Sequence, residues 1–286
     1  FSSPQRRLHD AEHGGWFYSI DALGAPLDPR KDLYTHAFIL FACAHYWDKV
    51  REPSVGHVLD TALEVIAQRF ATGDGLYEAC LERDWSSLQT GPLQNPLMHL
   101  AEALLATLAA RQDDAVQSML VTLCTAMQQR FIDPQQGVLM EKPLGAVDNW
   151  YEPGHQFEWY FLLESSPLLR GSQLHASLER AFAFTEQSGV DPHSGAVKAM
   201  LELNGQARDA TQRTCAAAAY PRALTLRPDA EATVLRQLLA LQQNFLHAGG
   251  WHECRDEQGQ VSRKDMPSTT PYHLATCYRG LAEYLG

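Results

Sequence analysis

Nowhere in its 286 residues does the chain carry an apolar run approaching the length a membrane-spanning helix needs. Basic residues are scarce: 23 Lys and Arg stand against 34 Asp and Glu, a formal charge of −11. That balance argues against a nucleic-acid backbone or an anionic membrane surface as partner. The six cysteines (Cys43, Cys80, Cys124, Cys215, Cys254, Cys277) are scattered singly, with no Cys-x-x-Cys. They read as free thiols of a cytoplasmic protein, without disulfides or thiolate-bound metal. The opening Phe1-Ser2-Ser3-Pro4-Gln5-Arg6-Arg7 does not read as a secretory leader. There is no Gly-x-x-x-x-Gly-Lys-Ser/Thr loop and no Gly-x-Gly-x-x-Gly, so nucleotide and dinucleotide cofactors are not indicated. His9 and His13 have i, i+4 spacing, but no convergent carboxylate follows, and neither a metal nor a cofactor is expected.

What the chain does have is a large supply of core and a helical rhythm. Hydrophobic residues make up 45%. Apolar groups recur at helical spacing over about 33–48, 56–71, 96–110, 114–130, 154–166, 172–187, 210–226, 230–246 and 269–285. Between helix pairs stand glycine marks at Gly15, Gly75, Gly137, Gly195 and Gly250, which are 60, 62, 58 and 55 residues apart. The first and last share the pattern Gly-Gly-Trp, four residues, Asp, two residues, Gly. Asp-x-x-Gly and Asn204-Gly205 between short alternating runs are hairpin chemistry, because glycine accepts positive φ at little cost. The repeat is therefore hairpin, helix, helix, which stacks into a solenoid or closes into a ring. Phe38-Ile39-Leu40-Phe41 and Trp159-Tyr160-Phe161-Leu162-Leu163 are apolar almost all round. Helices of that kind are buried on both sides, which favours two concentric helix layers. An odd count of nine helices, with hardly a helix before the first hairpin, predicts that the repeat series starts late.

Two histidines stand in distinctive settings, Glu152-Pro153-Gly154-His155-Gln156-Phe157-Glu158-Trp159 and Met266-Pro267-Ser268-Thr269-Thr270-Pro271-Tyr272-His273. Each follows a proline-bearing turn where a helix can begin. Histidine titrates near neutrality, so two facing one substrate can give and take protons at pH 7. Alone, either is equally well read as a helix-start residue bonded to backbone. Glu158, one turn after His155, suits the same site or the helix dipole. Asn95 and His99 share a helix face, though His99 lies between Met98 and Leu100, as a core histidine would. His36 fits surface or site. Trp85 and Trp150 precede helix motifs, where they either stack on a substrate or pack the wall. Trp16 and Trp251 hold equivalent repeat positions and read as packing.

Taken together these stretches resemble the N-acylglucosamine 2-epimerase superfamily, which includes mannose isomerases and cellobiose 2-epimerases. The matching segments are Gly14-Gly15-Trp16 with Asp21 and Gly24, Lys31-x-x-Tyr34-x-His36-x-Phe38, Asn95 to Ala103, Glu152 to Trp159, Gly249-Gly250-Trp251 with Asp256, and Pro271-Tyr272-His273. The resemblance implies one all-α domain over residues 1–286, an (α/α)6 barrel of twelve helices of which the last nine, without about three N-terminal ones, are present. It implies a sugar site at the mouth of the inner helix ring. There His273 is the base moving a proton between C2 and C1, and His155 opens the sugar ring and serves as acid. Asn95, His99, Glu158, Arg213, His36, Trp85 and Trp150 are the substrate-binding candidates, Asn95 with His99 and Arg213 by correspondence with the family. Two departures stand out. The family follows its arginine with a Trp and then a Glu, where this chain has Cys215 and, near the second position, Ala219. The family's early sugar-binding arginine also has no counterpart.

The resulting expectation is an aldose–ketose isomerase of unphosphorylated hexoses, interconverting mannose and fructose through a cis-enediol without metal. A small-molecule sugar is the partner, with no nucleic acid or membrane and with a homodimer allowed. A 2-epimerase in the same fold is the first alternative, and an impaired helical-repeat binding protein the second. The two histidines should reach one cavity, and residues 33–48 and 269–285 should show exposed apolar side chains unless something covers them.

Overall fold

The computed structural model describes residues 7–286; the opening segment Phe1 to Arg6, read above for a leader, lies outside the described residues. The chain divides into two compact units, Phe1–Arg130 and Phe131–Gly286. Nine helices lie wholly within the described residues, joined by short strands.

In the first unit, β1 (Ser19–Ile20) and β2 (Pro26–Asp28) pair antiparallel around the Asp21-to-Gly24 turn. The Asp21 carboxylate accepts the backbone N–H groups of Leu23 and Ala25, each at 2.9 Å, so it closes the turn from within. Strand β3 (Lys31–Asp32) leads directly into α1 (Leu33–Val50), whose N-cap Asp32 accepts from the Thr35 N–H at 2.8 Å. The helix α2 (Pro53–Val65) begins on a proline and runs on as a π-helical turn over Ile66–Phe70. Strand β4 (Cys80–Leu81) pairs with β3, and α3 (Gln94–Ala110) and α4 (Asp114–Phe131) follow. The run from Pro96 to Leu104 in α3 is buried without a break, as expected of a helix covered on all sides. In α1 only one stripe is fully buried (Leu33, His36, Ala37, Leu40, Cys43, Ala44). Phe38, Ile39 and Phe41, expected to be enclosed, are half-buried.

A buried ion cluster anchors this unit. Lys31, with no exposed side-chain surface, donates to Asp10 at 2.9 Å and to the Gly14 carbonyl at 2.8 Å. Arg83 bonds the same carboxylate at 2.9 Å. Burial pushes the Asp10 carboxyl up, but the Arg83 and Lys31 bonds outweigh it and hold the group well below the usual carboxylate range. Gly15 (φ +66°) is required here on two counts. A Cβ at this position would lie 2.7 Å from the Trp85 ring and 2.9 Å from His36 Nε2.

In the second unit, α5 (Pro153–Glu164) and α6 (Gln173–Gly189) precede a hairpin of β5 (Lys198–Leu201) and β6 (Ala207–Arg213). Then come α7 (Thr214–Leu224), α8 (Glu231–Phe245), the short pair β7 (Leu246–His247) and β8 (Gly250–Trp251), β9 (Cys254–Arg255), β10 (Val261–Arg263) and α9 (Thr270–Leu285). The larger sheet runs β10-β9-β6-β5, antiparallel throughout. The helix expected over 210–226 thus starts later, at Thr214. Residues 207–213 are strand because β6 has a bonding partner on either side, and two ladders outweigh a weak local helix preference. Helix α7 packs against α5, α8 and α9. Its alanines permit this: Ala216, Ala218, Ala219 and Ala223 lie in the core with Phe157, Phe182 and Tyr220.

The glycine marks are the same turn repeated. Bridges His9 to Trp16, Ala71 to Tyr77, Ile132 to Leu139 and Val190 to Val197 close four of them, and the β7–β8 pair closes the fifth. In three, an aspartate four residues before a turn glycine (Asp10 before Gly14, Asp133 before Gly137, Asp191 before Gly195) accepts backbone N–H groups of the turn.

Candidate active site

The second unit brings the two motif histidines to the N-terminal turns of α5 and α9, next to α7, which packs against both helices. His155 donates from Nδ1 to Glu141 Oε1 at 2.8 Å, and its Nε2 lies 3.7 Å from Glu152. Glu152 accepts from Arg213 at 3.3 Å. On the next turn of α5 the buried Glu158 accepts from the Tyr272 hydroxyl at 3.2 Å, and its second oxygen is 3.8 Å from His273 Nδ1. Glu158 therefore sits between the motifs, touching His273 and adding its charge to the field at His155.

The electrostatics follow from that layout. Burial favours neutral His155, but the charges of Glu141 and Glu152, the Glu141 bond and the charge of Glu158 outweigh it. The imidazole is raised from its ordinary value to about 9. Glu141 is itself pushed up by burial, with His155 pulling the other way, so the pair binds its shared proton tightly. The carboxylates around His155 thus favour its imidazolium form. Burial pushes the Cys215 thiol up to about 11 against the pull of Arg213, so it is a neutral neighbour of Glu152, Glu158 and Glu253.

Glu253 joins the elements that frame this site. Its carboxylate accepts from Thr270 at the start of α9 at 2.7 Å and from the Trp251 indole at 3.2 Å. Its backbone carbonyl accepts the Thr214 N–H at the start of α7, at 3.1 Å.

Asn95 and His99 are in the first unit, on the first turns of α3. His99 is buried edge-on to the Tyr34 ring, beside Phe38, and 3.5 Å from Glu102. His36 is a core residue. Its Nδ1 donates to the Asp32 carbonyl at 2.7 Å and its Nε2 accepts the Trp16 N–H at 3.2 Å, so neither ring nitrogen is left for a sugar. Trp85 donates to the His13 carbonyl at 2.8 Å and packs on His36 and Phe70, the wall-packing alternative. Trp150 has Lys142 and Arg208 against its ring at 4.9 and 5.0 Å, which leaves little face for stacking. Ala219, where the resemblance places a carboxylate, lies in the apolar core.

Glu141, Glu152, Gln156, Glu253 and Tyr272 were not singled out by sequence. Glu152, Gln156 and Tyr272 lie inside the two motifs and were within reach of a closer reading. Glu141 and Glu253 carry no local signal, because their neighbours are distant in the chain. For a cation, Glu141, Glu152 and His155 of the site offer converging donor atoms, as do Glu164, His175 and Glu179, whose two carboxylates Arg170 and Arg227 already neutralise. No described helix is long and apolar enough to cross a membrane.

Comparison with known proteins agrees with this architecture. The family model N-acylglucosamine 2-epimerase (GlcNAc 2-epimerase) matches residues 4–277. The mannose-6-phosphate isomerase of Rhizobium meliloti (strain 1021) is 30% identical over 289 aligned residues, 91% of this chain and 72% of that protein. The D-mannose isomerase of Thermobifida fusca is 38% identical over 107 residues, 37% of this chain and only 26% of that protein. The solved cellobiose 2-epimerase of Bacillus thermoamylovorans B4167 superposes with a TM-score of 0.86 at 18% identity, covering 98% of this chain and 78% of that one. Such likeness identifies the fold as the all-α (α/α)6 toroid of the sugar isomerases and epimerases. By the match over residues 4–277, the chain belongs to the N-acylglucosamine 2-epimerase family.

Proposed function

We propose that the protein is an aldose–ketose isomerase of unphosphorylated hexoses, interconverting mannose and fructose, with His155 and His273 as its acid and base. The observation that carries this reading is that Glu158, one turn after His155 on α5, lies 3.8 Å from His273 Nδ1, although 118 residues separate the two histidines in sequence. His273 directs Nδ1 toward the Glu158 carboxylate, which favours a proton on that nitrogen and leaves Nε2 as the base. His155, as the imidazolium, assists opening of the sugar ring. Nε2 of His273 then takes the C2 proton of the open-chain aldose while His155 protonates O1, giving a cis-enediol. Return of the carried proton to C1, with the O2 proton passing back to His155, forms the C2 carbonyl and restores both imidazoles. Each such transfer is within the reach of positioned general acid–base groups. Arg213, the cation beside His155, is matched by Glu152, and a phosphate dianion needs several donors. An unphosphorylated sugar suits the site for that reason.

The test is NMR of D-mannose incubated with the protein in D2O. Fructose deuterated at C1 is the expected result. Glucose deuterated at C2 without fructose replaces the isomerase with a 2-epimerase, conversion of mannose 6-phosphate alone overturns the substrate class, and absence of any exchange overturns both enzyme readings.

A further inference from the structure

We propose that Glu141 is a positioning residue, fixing the orientation and tautomer of His155 by accepting its Nδ1 proton, and that Gln156 is the clamp that holds Glu141 there. The proposal rests on the reading of His155 as the acid.

Glu141 comes from an irregular segment between α4 and α5, which has no reason of its own to hold a carboxylate against an imidazole. Three sets of bonds supply one. The buried side chain of Gln156, the residue after His155, accepts the Leu139 N–H at 2.8 Å and donates to the Leu139 carbonyl at 2.7 Å. It thereby pins the strand-like stretch 139–141 to α5. The Glu141 N–H then donates to the Trp150 carbonyl at 2.9 Å. Between these points the loop is closed by Asn149, which accepts the Lys142 N–H at 2.9 Å and donates to the Lys142 carbonyl at 2.8 Å. Loop and helix thus form one rigid frame, with adjacent residues of α5 serving as catalytic acid and as anchor for the carboxylate behind it.

Of the charged groups facing His155, Glu141 is the one with this role. Glu152 lies at Nε2 but is matched by Arg213 from the end of β6. Glu158 is shared with Tyr272 and His273 of α9. Cys215 at the start of α7 is held neutral by burial. Glu141, buried to within 6% of full enclosure, has His155 as its matching cation. A carboxylate on Nδ1 fixes which nitrogen faces outward and supports the positive charge when the other nitrogen has gained a proton.

The test uses the full chain with 15N-labelled histidine, read by long-range 1H–15N NMR, with His155 assigned by the signal lost in H155Q. In the wild type His155 should carry hydrogen on Nδ1 and keep its proton well above neutrality. In E141Q its titration midpoint should fall by at least one pH unit, kcat should drop a hundredfold or more with KM changed less than threefold, and the alkaline limb of the pH–rate profile should move down. E141D, which keeps the charge, should recover part of both. A wild-type spectrum with Nδ1 unprotonated at neutral pH overturns the proposal, even if E141Q does not fold. So does a midpoint unmoved in a folded E141Q. An imidazole that responds while turnover does not overturns the acid role of His155 instead, so the two readings fail separately.

Discussion

His36 and His155 are both largely buried imidazoles, and the groups at their ring nitrogens separate them. His36 meets a backbone carbonyl and a backbone N–H, with burial and the nearby Lys31 charge against protonation, and is lowered to about 4. His155 meets carboxylates and is raised to about 9. One is a structural post held toward its neutral form and the other is held toward its charged form by carboxylates, a distinction invisible in the letter H. If His155 and His273 are the acid and base, replacing either with Gln should lower deuterium exchange into the sugar by about a hundredfold to ten-thousandfold. His36→Gln should affect stability far more than exchange in whatever fraction folds. Rates measured alongside circular dichroism separate the two effects, and a His155→Gln protein that exchanges at the wild-type rate removes it from the mechanism.

At the level of elements, the alanine run of α7 changes meaning once its neighbours are known. Read against the family pattern, Cys215 and the alanines suggested a lost stacking surface and a lost carboxylate. In the fold, Ala216 is the contact that lets α5 come close, since a Cβ on Gly154 would stand 2.9 Å from the Ala216 methyl. Gly154 in turn lies immediately before His155, so this close approach sets the position of the candidate acid. Gly154→Ala should therefore overpack the α5–α7 contact and cost about 1–3 kcal/mol, seen as a lower denaturation midpoint. No loss of stability would show that the contact relaxes freely. The strand β6 teaches a related lesson. Ala207 to Arg213 has no strong preference of its own, and the pairing with β5 and β9 decides its state.

For the whole molecule, the two histidines predict a stability profile with two limbs from different units. His36, in the first unit, is lowered, so the unfolded chain binds its proton more readily. Its contribution is intact above about pH 6.5 and is lost as pH falls toward 4, on the order of 3 kcal/mol. Asp10, also lowered, adds a further loss at still lower pH. His155, in the second unit, is raised. Its contribution is complete below about pH 6.5 and is lost as pH rises through about 9. Thermal unfolding followed from pH 4 to 10 should show greatest stability near neutrality. E141Q should flatten the alkaline limb and leave the acid limb in place; an alkaline limb unchanged in that variant would separate it from His155.

The sequence by itself determined the elements that rest on local chemistry. Glycine marks near sixty residues apart announced the turns, because positive φ and an aspartate side chain closing on backbone N–H groups are local requirements. Helical periodicity placed the nine helices to within a few residues, apart from the start of α7 and the π-helical end of α2. The two proline–histidine motifs marked the helix starts that carry the candidate acid and base. Tertiary structure alone decided what depends on groups far apart in the chain. It set His36 in the core, Trp150 between two cations and Ala219 inside the apolar cluster. It also brought Glu141, fourteen residues before His155, and Glu253, seventeen before Thr270, to the ends of the site helices. A carboxylate's role is set by which charge it meets, and that meeting is made by packing rather than by its neighbours in the sequence.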